Sequence, residues 1–411
     1  SLCGGDGMSG QIVRQEYELT CIAPMHVGSG QKLKSFEYLY DRRKDEVAFL
    51  NESKWIALLA QHDLMDAFAN AVMSGAFLRQ SIREWLLDHQ IKEGELRSII
   101  LRRATSAPLI TKERGRTKLN DIVAQTTLAD GRPYIPGSTI KGALRTGMLY
   151  HAIHRDPARF RSIWQEILRS LREPLKDQKK TCDRMMSRVE QTLLHTLCLS
   201  DDVKTGDAVS SAMRGLRVSD AVGTVRDTVV LQKVDATTKK KRQGENVSEL
   251  PLFRECIPAG TKLRFAVTAD LSMLETADIR SLDEALAGVR AYTADGLRRL
   301  AAVFGGGYYR PLFDEAKEAD VLLGGGTGFL SKTLVYGLAG SDEEARTFIS
   351  SYLDAAFQTR NRRTGQREPA HRHKELDCKI SPRTLKRVVM ASDDWIMGLC
   401  SIRRLGDAQT I

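Results

Sequence analysis

The stretch "YIPGSTIKGALRTGML", Tyr134 to Leu149, reads as a turn followed by an apolar helix. Pro136-Gly137 sets the turn, and Ser138 or Thr139 suits the helix N-cap. Ile140, Ala143, Leu144, Met148 and Leu149 recur at helical spacing and predict the buried side. Gly142 and Gly147 each weaken a helix by about 1 kcal/mol against Ala, so their presence predicts something packed closely against it. Lys141 and Arg145 share a face one turn apart, where like charges repel by roughly a few tenths of a kcal/mol. Free N–H groups, a hydroxyl and two cations at a helix start make a phosphate site in general physical terms. A capped core helix carrying two solvated cations accounts for the same residues equally well.

Working outward, the chain has 411 residues, enough for two or three domains. Hydrophobic residues make up 42% and charged residues 28%, a globular composition that argues against wholesale disorder. Lys and Arg outnumber Asp and Glu by 62 to 52, a net +10 that points to a polyanionic partner, nucleic acid above all. The seven cysteines are odd in number, scattered and free of C-x-x-C. That pattern fits free thiols in a reducing cytoplasm rather than a disulfide framework. No apolar run approaches the roughly 20 residues of a membrane span, so no membrane partner is expected. The start "SLCGGDGMSG" lacks a basic n-region and an apolar h-region, and residues 1–10 read as a flexible lead.

Strand and helix signals alternate without a regular βαβ rhythm, which predicts an α+β fold. "VRQEYELTC", "FEYLY" and "EVAFL" read as strands. Asn51 or Ser53 suits the cap of a helix beginning "KWIALLAQ", and the helical pattern runs on to about Arg103. A second helical stretch spans roughly 151–200. Four short strands follow in "GLRVSDAV", "TVRDTVVLQKVD", "PLFRECIP" and "TKLRFAVTAD". The polar, basic segment at about 235–250 reads as a projecting β-hairpin or a loop. The expected organisation is an N-terminal unit, 11–270, with helical insertions at about 52–130 and 151–200, and a C-terminal unit, 271–411.

Three other features carry chemistry. "VLLGGGTGFLSKT" resembles a P-loop, but Ser331 stands where the second glycine of G-x-x-x-x-G-K-[ST] belongs, and its side chain would obstruct the phosphate. Gly326, Gly328 and Lys332 remain candidates for contact with an RNA backbone, against a tight inter-element turn. Lys239, Lys240, Lys241 and Arg242 place four cations in the expected hairpin, and the loop from Arg360 to Lys374 is also strongly basic. Both are phosphate contacts or solvated loops. His26 lies between a strand and Gly28-Ser29-Gly30. It is an acid/base for RNA cleavage, an RNA contact or a residue that holds the loop, and no second acid/base partner is visible. His371, His373 and Cys378 lack a fourth zinc ligand at convincing spacing, so neither metal nor cofactor is expected.

"LTCIAPMHVGSG", "YIPGSTIKGALRTGML" and "LLGGGTGF", in that order, resemble RAMP-superfamily proteins of the type III-A (Csm) CRISPR interference complex. The resemblance runs from about Glu16 through "SPRTLKRVV" to "GLCSI". Chain length, helical insertions and the late glycine-rich loop favour the subunit at one end of the filament over the shorter repeating backbone subunit. The resemblance implies two ferredoxin-like, RRM-related RAMP units. It also implies a non-catalytic crRNA-binding subunit that caps the 3′-side end of the filament and takes part in crRNA maturation and antiviral defense. crRNA and other Csm subunits are the implied partners, with recruited host nucleases as a further class. Phosphate contact carries over to Ser138, Lys141 and Arg145. The segment around Lys239 matches the thumb hairpin of backbone subunits by placement. A metal-independent processing endoribonuclease using His26 is the alternative.

Overall fold

The computed structural model describes residues 11–41, 43–106, 119, 121–198, 203–204, 206–237, 252–370, 380–382, 384–390 and 393–411. The predicted lead, the cations Lys239 to Arg242, and His371, His373 and Cys378 lie outside them.

Strand Ile12–Cys21 alternates as its sequence predicts. Val13, Tyr17, Leu19 and Cys21 point inward, while Arg14 and Glu16 face out. It lies at the centre of a five-stranded sheet. Lys262–Asp270 pairs antiparallel on one side, and Leu399–Thr410 pairs antiparallel on the other, from Val13–Thr410 to Cys21–Cys400. Leu216–Val218 and Val321–Leu322 form the edges. Helices Gly137–Arg155 and Leu282–Phe304 share one core with this sheet, joining Tyr17, Leu19 and Phe265 to Ile140, Leu144, Met148 and Val289. The two helices cross very closely. A Cβ on Gly147 would stand 2.5 Å from Val289 N, and one on Gly288 would stand 2.6 Å from Gly147 O. The close neighbour predicted for Gly147 is therefore this helix. Gly142 has none, because its Cβ position is open space.

A nine-stranded sheet forms the second layer of strands. Gly28–Leu33, Ile122–Gln125, Phe253–Cys256, Thr228–Thr237, Ile100–Thr105, Glu46–Leu50 and Tyr38–Asp41 follow one another across it. Thr384–Met390 pairs with the far half of Thr228–Thr237 and carries Asp393–Ile396 at its side. Thr228–Thr237 and Phe253–Cys256, which flank the predicted hairpin segment, pair antiparallel. Both sheets take strands from either side of residue 270.

Asn51 caps helix Glu52–Gln61 by accepting from Lys54 N at 3.1 Å. Four short α-helices, the last Glu93–Ser98, enclose a separate core around Trp55, Phe77, Trp85 and Leu86. The helical pattern predicted to continue to Arg103 stops earlier. Ile100–Thr105 and Ile122–Gln125 are strands of the large sheet, so the insertion predicted over about 52–130 is helical only in its first part. The alternation in "IILRRAT" is masked by its two arginines. One of them, Arg102, is drawn inward by a buried acid, and tertiary pairing overrides local pattern.

Candidate nucleic-acid interface

The first and last of the three motifs meet in space. The loop after Ile12–Cys21 is clipped to the sheet by two bonds between Met25 and Ile257, at 3.0 and 2.7 Å. On its other side His26 O accepts from Gly325 N at 2.7 Å, and Pro24 O accepts from Gly398 N at 3.2 Å. Gly324 sits at φ +86°, and a Cβ there would lie 2.2 Å from His26 O. Only glycine fits both the dihedral and the space.

Beneath this junction lies Glu255, with none of its side chain exposed. Arg102 grips both carboxylate oxygens at 2.7 Å. Thr228 Oγ1 donates at 2.8 Å and Gln125 N at 2.9 Å. The Glu255 carbonyl accepts from His26 Nδ1 at 2.6 Å, which places the proton on that nitrogen. His26 is 1% exposed, and burial pushes its pKa down to about 4. The RNA-contact and acid/base roles expected for His26 need an accessible ring, whereas here the ring is sealed from solvent with Nδ1 committed to the Glu255 carbonyl.

The helix motif differs from its prediction at the start. Pro136 is the N-cap residue, so Ser138 and Thr139 lie in the first turn. Asp220 from another segment satisfies the Gly137 N–H at 2.8 Å, and Ser138 is exposed. Arg145 has an internal anion, Glu190 Oε1 at 2.8 Å. Lys141 has no hydrogen-bond or ion-pair partner among the described residues. Arg217, on edge strand Leu216–Val218, is near enough for its charge to act on Lys141. Partial burial, then the Arg217 charge, holds the Lys141 pKa below the usual lysine value. An anion bound beside the part-buried Lys141 and the exposed Arg217 relieves the repulsion between them.

The glycine-rich loop is a packed turn with cations against it. Gly326 has φ +85° and stands close to Met397, and Gly328 has φ +95° and stands close to Lys386. The Arg254 guanidinium lies against Gly325 and Gly326, with its Nε buried and unpaired. Lys233 and Lys386 share one acid, Asp235, at 3.4 and 2.5 Å. Arg254, Lys233 and Lys386 against Asp235 leave a net positive group beside the loop. Lys332 is exposed. A P-loop needs a helix directly after its glycines, whereas here the next helix is the four-residue Val335–Leu338. Among the described residues no three His, Cys, Asp or Glu side chains gather as a metal site, and no helix is long and apolar enough to cross a membrane. Sequence reasoning missed Arg217, Arg254 and Lys386. Arg217 and Arg254 are each the single cation of a short strand, and Lys386 stands beside Arg387 in Thr384–Met390, so nothing local distinguishes them from ordinary outward-facing charges.

The sequence profile of the RAMP superfamily matches residues 18–318. The chain belongs to the RAMP superfamily. As a RAMP protein it is similar to "CRISPR system Cms protein Csm5" of Mycobacterium tuberculosis (strain H37Rv), 29% identical over 95% of this chain and 97% of that protein. The Csm5 of Enterococcus italicus is 22% identical over 84% of this chain and 86% of that one. In fold, this RAMP chain resembles a chain from the cryo-EM structure of a Csm-crRNA-target RNA ternary complex in a type III-A CRISPR-Cas system. The TM-score is 0.61 at 16% identity, covering 95% of this chain and all of that one. The crystal structure of T. onnurineus Csm5 matches at TM-score 0.53 and 18% identity, over 78% and 92%.

Proposed function

We propose that the chain is the end subunit of a type III-A CRISPR effector complex. In this reading it binds crRNA by its backbone, caps the 3′-side end of the backbone filament, takes part in crRNA maturation and carries no catalytic site. Its similarity to Csm5 along nearly its whole length supports the assembly. The antiparallel sheet with two helices on one face supports a ferredoxin-like RAMP unit, and the cytoplasm is the expected compartment. No described feature speaks for recruited host nucleases, and they form no part of the reading.

The observation that carries the RNA contact is the unpartnered Lys141–Arg217 pair. A phosphate beside them supplies a charge that the described residues do not, and such contacts position RNA without reading its bases. Ser138 and the Arg254 group extend the same role. The endoribonuclease alternative loses its acid/base, because His26 is sealed.

Fluorescence anisotropy with a labelled single-stranded RNA, titrated at several salt concentrations, tests this reading. The Lys141→Ala/Arg217→Ala double variant is expected to bind about tenfold or more weakly at low salt. Its salt slope should be shallower by about 0.7 for each cation removed. Unchanged affinity and slope in a folded double variant overturn the assignment.

A further inference from the structure

A cavity of about 290 Å³ opens beside the motif helix, between Gly137–Arg155, Leu175–Leu194, the end of the glycine-rich segment and helix Asp342–Ala356. Its character differs from that of the cationic sites. One wall is aromatic. Phe329 and Tyr352 have ring centroids 6.4 Å apart and tilted by 30°, and Phe348 continues the row 6.3 Å beyond Tyr352. Phe329 directly follows the last glycine of the loop, so the loop that packs against Arg254 also delivers this ring.

Two acids also line the cavity. Asp183 accepts from the Tyr352 hydroxyl at 3.3 Å and from Lys179 at 3.0 Å, and Glu190 is held by Arg145 at 2.8 Å. Carboxylates accept and never donate when ionised, and their oxygens keep lone pairs beyond these bonds. Each acid is balanced by one cation, and the remaining lone pairs attract N–H donors. A cation available to a phosphate stands beside them. Lys332 lines the same cavity, is exposed, and makes no side-chain ion pair or hydrogen bond among the described residues.

An aromatic wall, carboxylate acceptors on the lining and an exposed cation beside them match one nucleotide turned base-inward. The base lies on the rings, its amino group meets the acids, and its phosphate stays on Lys332. We propose that this cavity takes one unstacked, amino-bearing base (adenine, cytosine or guanine) of the bound RNA strand. Uracil has no exocyclic amine and is disfavoured there. The inference rests on the RNA-binding reading, since Arg145 sits one turn from Lys141 and joins the cavity to that site.

The experiment uses the full chain with ten-nucleotide RNAs of oligo-A, oligo-C and oligo-U, and an oligo-U strand carrying one 2-aminopurine. Wild type is expected to bind oligo-A and oligo-C about tenfold or more tightly than oligo-U, from the hydrogen bond of one amino group to a charged acceptor. It should also quench the 2-aminopurine on binding. Tyr352→Ala removes part of the wall. Ser187→Trp, placed at an exposed position on the cavity lining, fills the space while leaving the core untouched. Both should erase the preference and the quenching and leave the oligo-U affinity and its salt slope as they were. Equal affinity for all three RNAs, or unquenched 2-aminopurine on a bound strand, overturns the base pocket while the backbone reading stands. Displacement of 2-aminopurine by free adenosine monophosphate at the strand's own affinity also overturns it, in favour of a free-nucleotide site. A chain that binds none of the RNAs overturns both readings together.

Discussion

Glu255 is fully buried and meets Arg102, Thr228 and the Gln125 amide, whereas Lys141 has no opposite charge among the described residues and feels the like charge of Arg217. Both carboxylate oxygens and the carbonyl of Glu255 are answered, and the result is a fixed joint between the His26 loop and the glycine-rich turn. Around Lys141 no answering charge stands among the described residues. An internally satisfied charge works for the fold. A partly desolvated charge left unanswered lowers stability unless something outside the chain binds it. The contrast separates the structural motif residues from those available to a ligand, although both sets lie in stretches that look alike as sequence.

The contrast breaks most visibly at Arg102. Arg102→Met leaves the Glu255 carboxylate buried without its cation, and the expected loss is about 3–5 kcal/mol by denaturant unfolding. RNA affinity of the folded fraction should not change. A loss below about 1 kcal/mol would show that the joint is not held by this pair.

His26 sharpens the same side. Its folded pKa of about 4 lies below the ordinary 6.5, so the neutral ring is the folded form. As pH falls below about 6.5, the unfolded chain takes up a proton that the folded chain refuses until about pH 4. Stability is therefore complete above that window and declines with acid inside it, by up to about 1.4 kcal/mol per pH unit from this group. His26→Gln should flatten the difference between denaturant midpoints at pH 7 and pH 5. An unchanged pH dependence would place the acid sensitivity elsewhere.

The smallest effect is expected at Arg145, between the two extremes. Its pairing with Glu190 is exposed, so Arg145→Ala should change stability by less than about 1 kcal/mol. It should also weaken RNA binding less than Lys141→Ala does. Equal losses at the two positions would restore both as phosphate ligands and remove the distinction drawn from Glu190.

Much of the architecture was legible. Alternation marked Ile12–Cys21 and Lys262–Asp270, and helical spacing marked the buried side of Gly137–Arg155. These elements bury one face against a large core, so the pattern is written locally. Ile100–Thr105 and Thr384–Met390 were not legible. Each mixes cations into a strand that pairs with Thr228–Thr237, more than a hundred residues away in sequence. The cations of the site divide in the same way. Lys141 was found through its motif, and Arg217 and Arg254 were not, because proximity across the fold is what makes them matter.

The order of the three motifs, the basic balance and the mixed α and β character follow from the sequence alone, since composition, periodicity and motif spacing are local properties. Which motif cation is free, where the anion for Arg145 comes from, and whether His26 sees solvent were decided by tertiary structure. Pairing and burial depend on residues dozens to hundreds of positions away. Glu190 lies 45 residues from Arg145, and Glu255 lies 229 from His26.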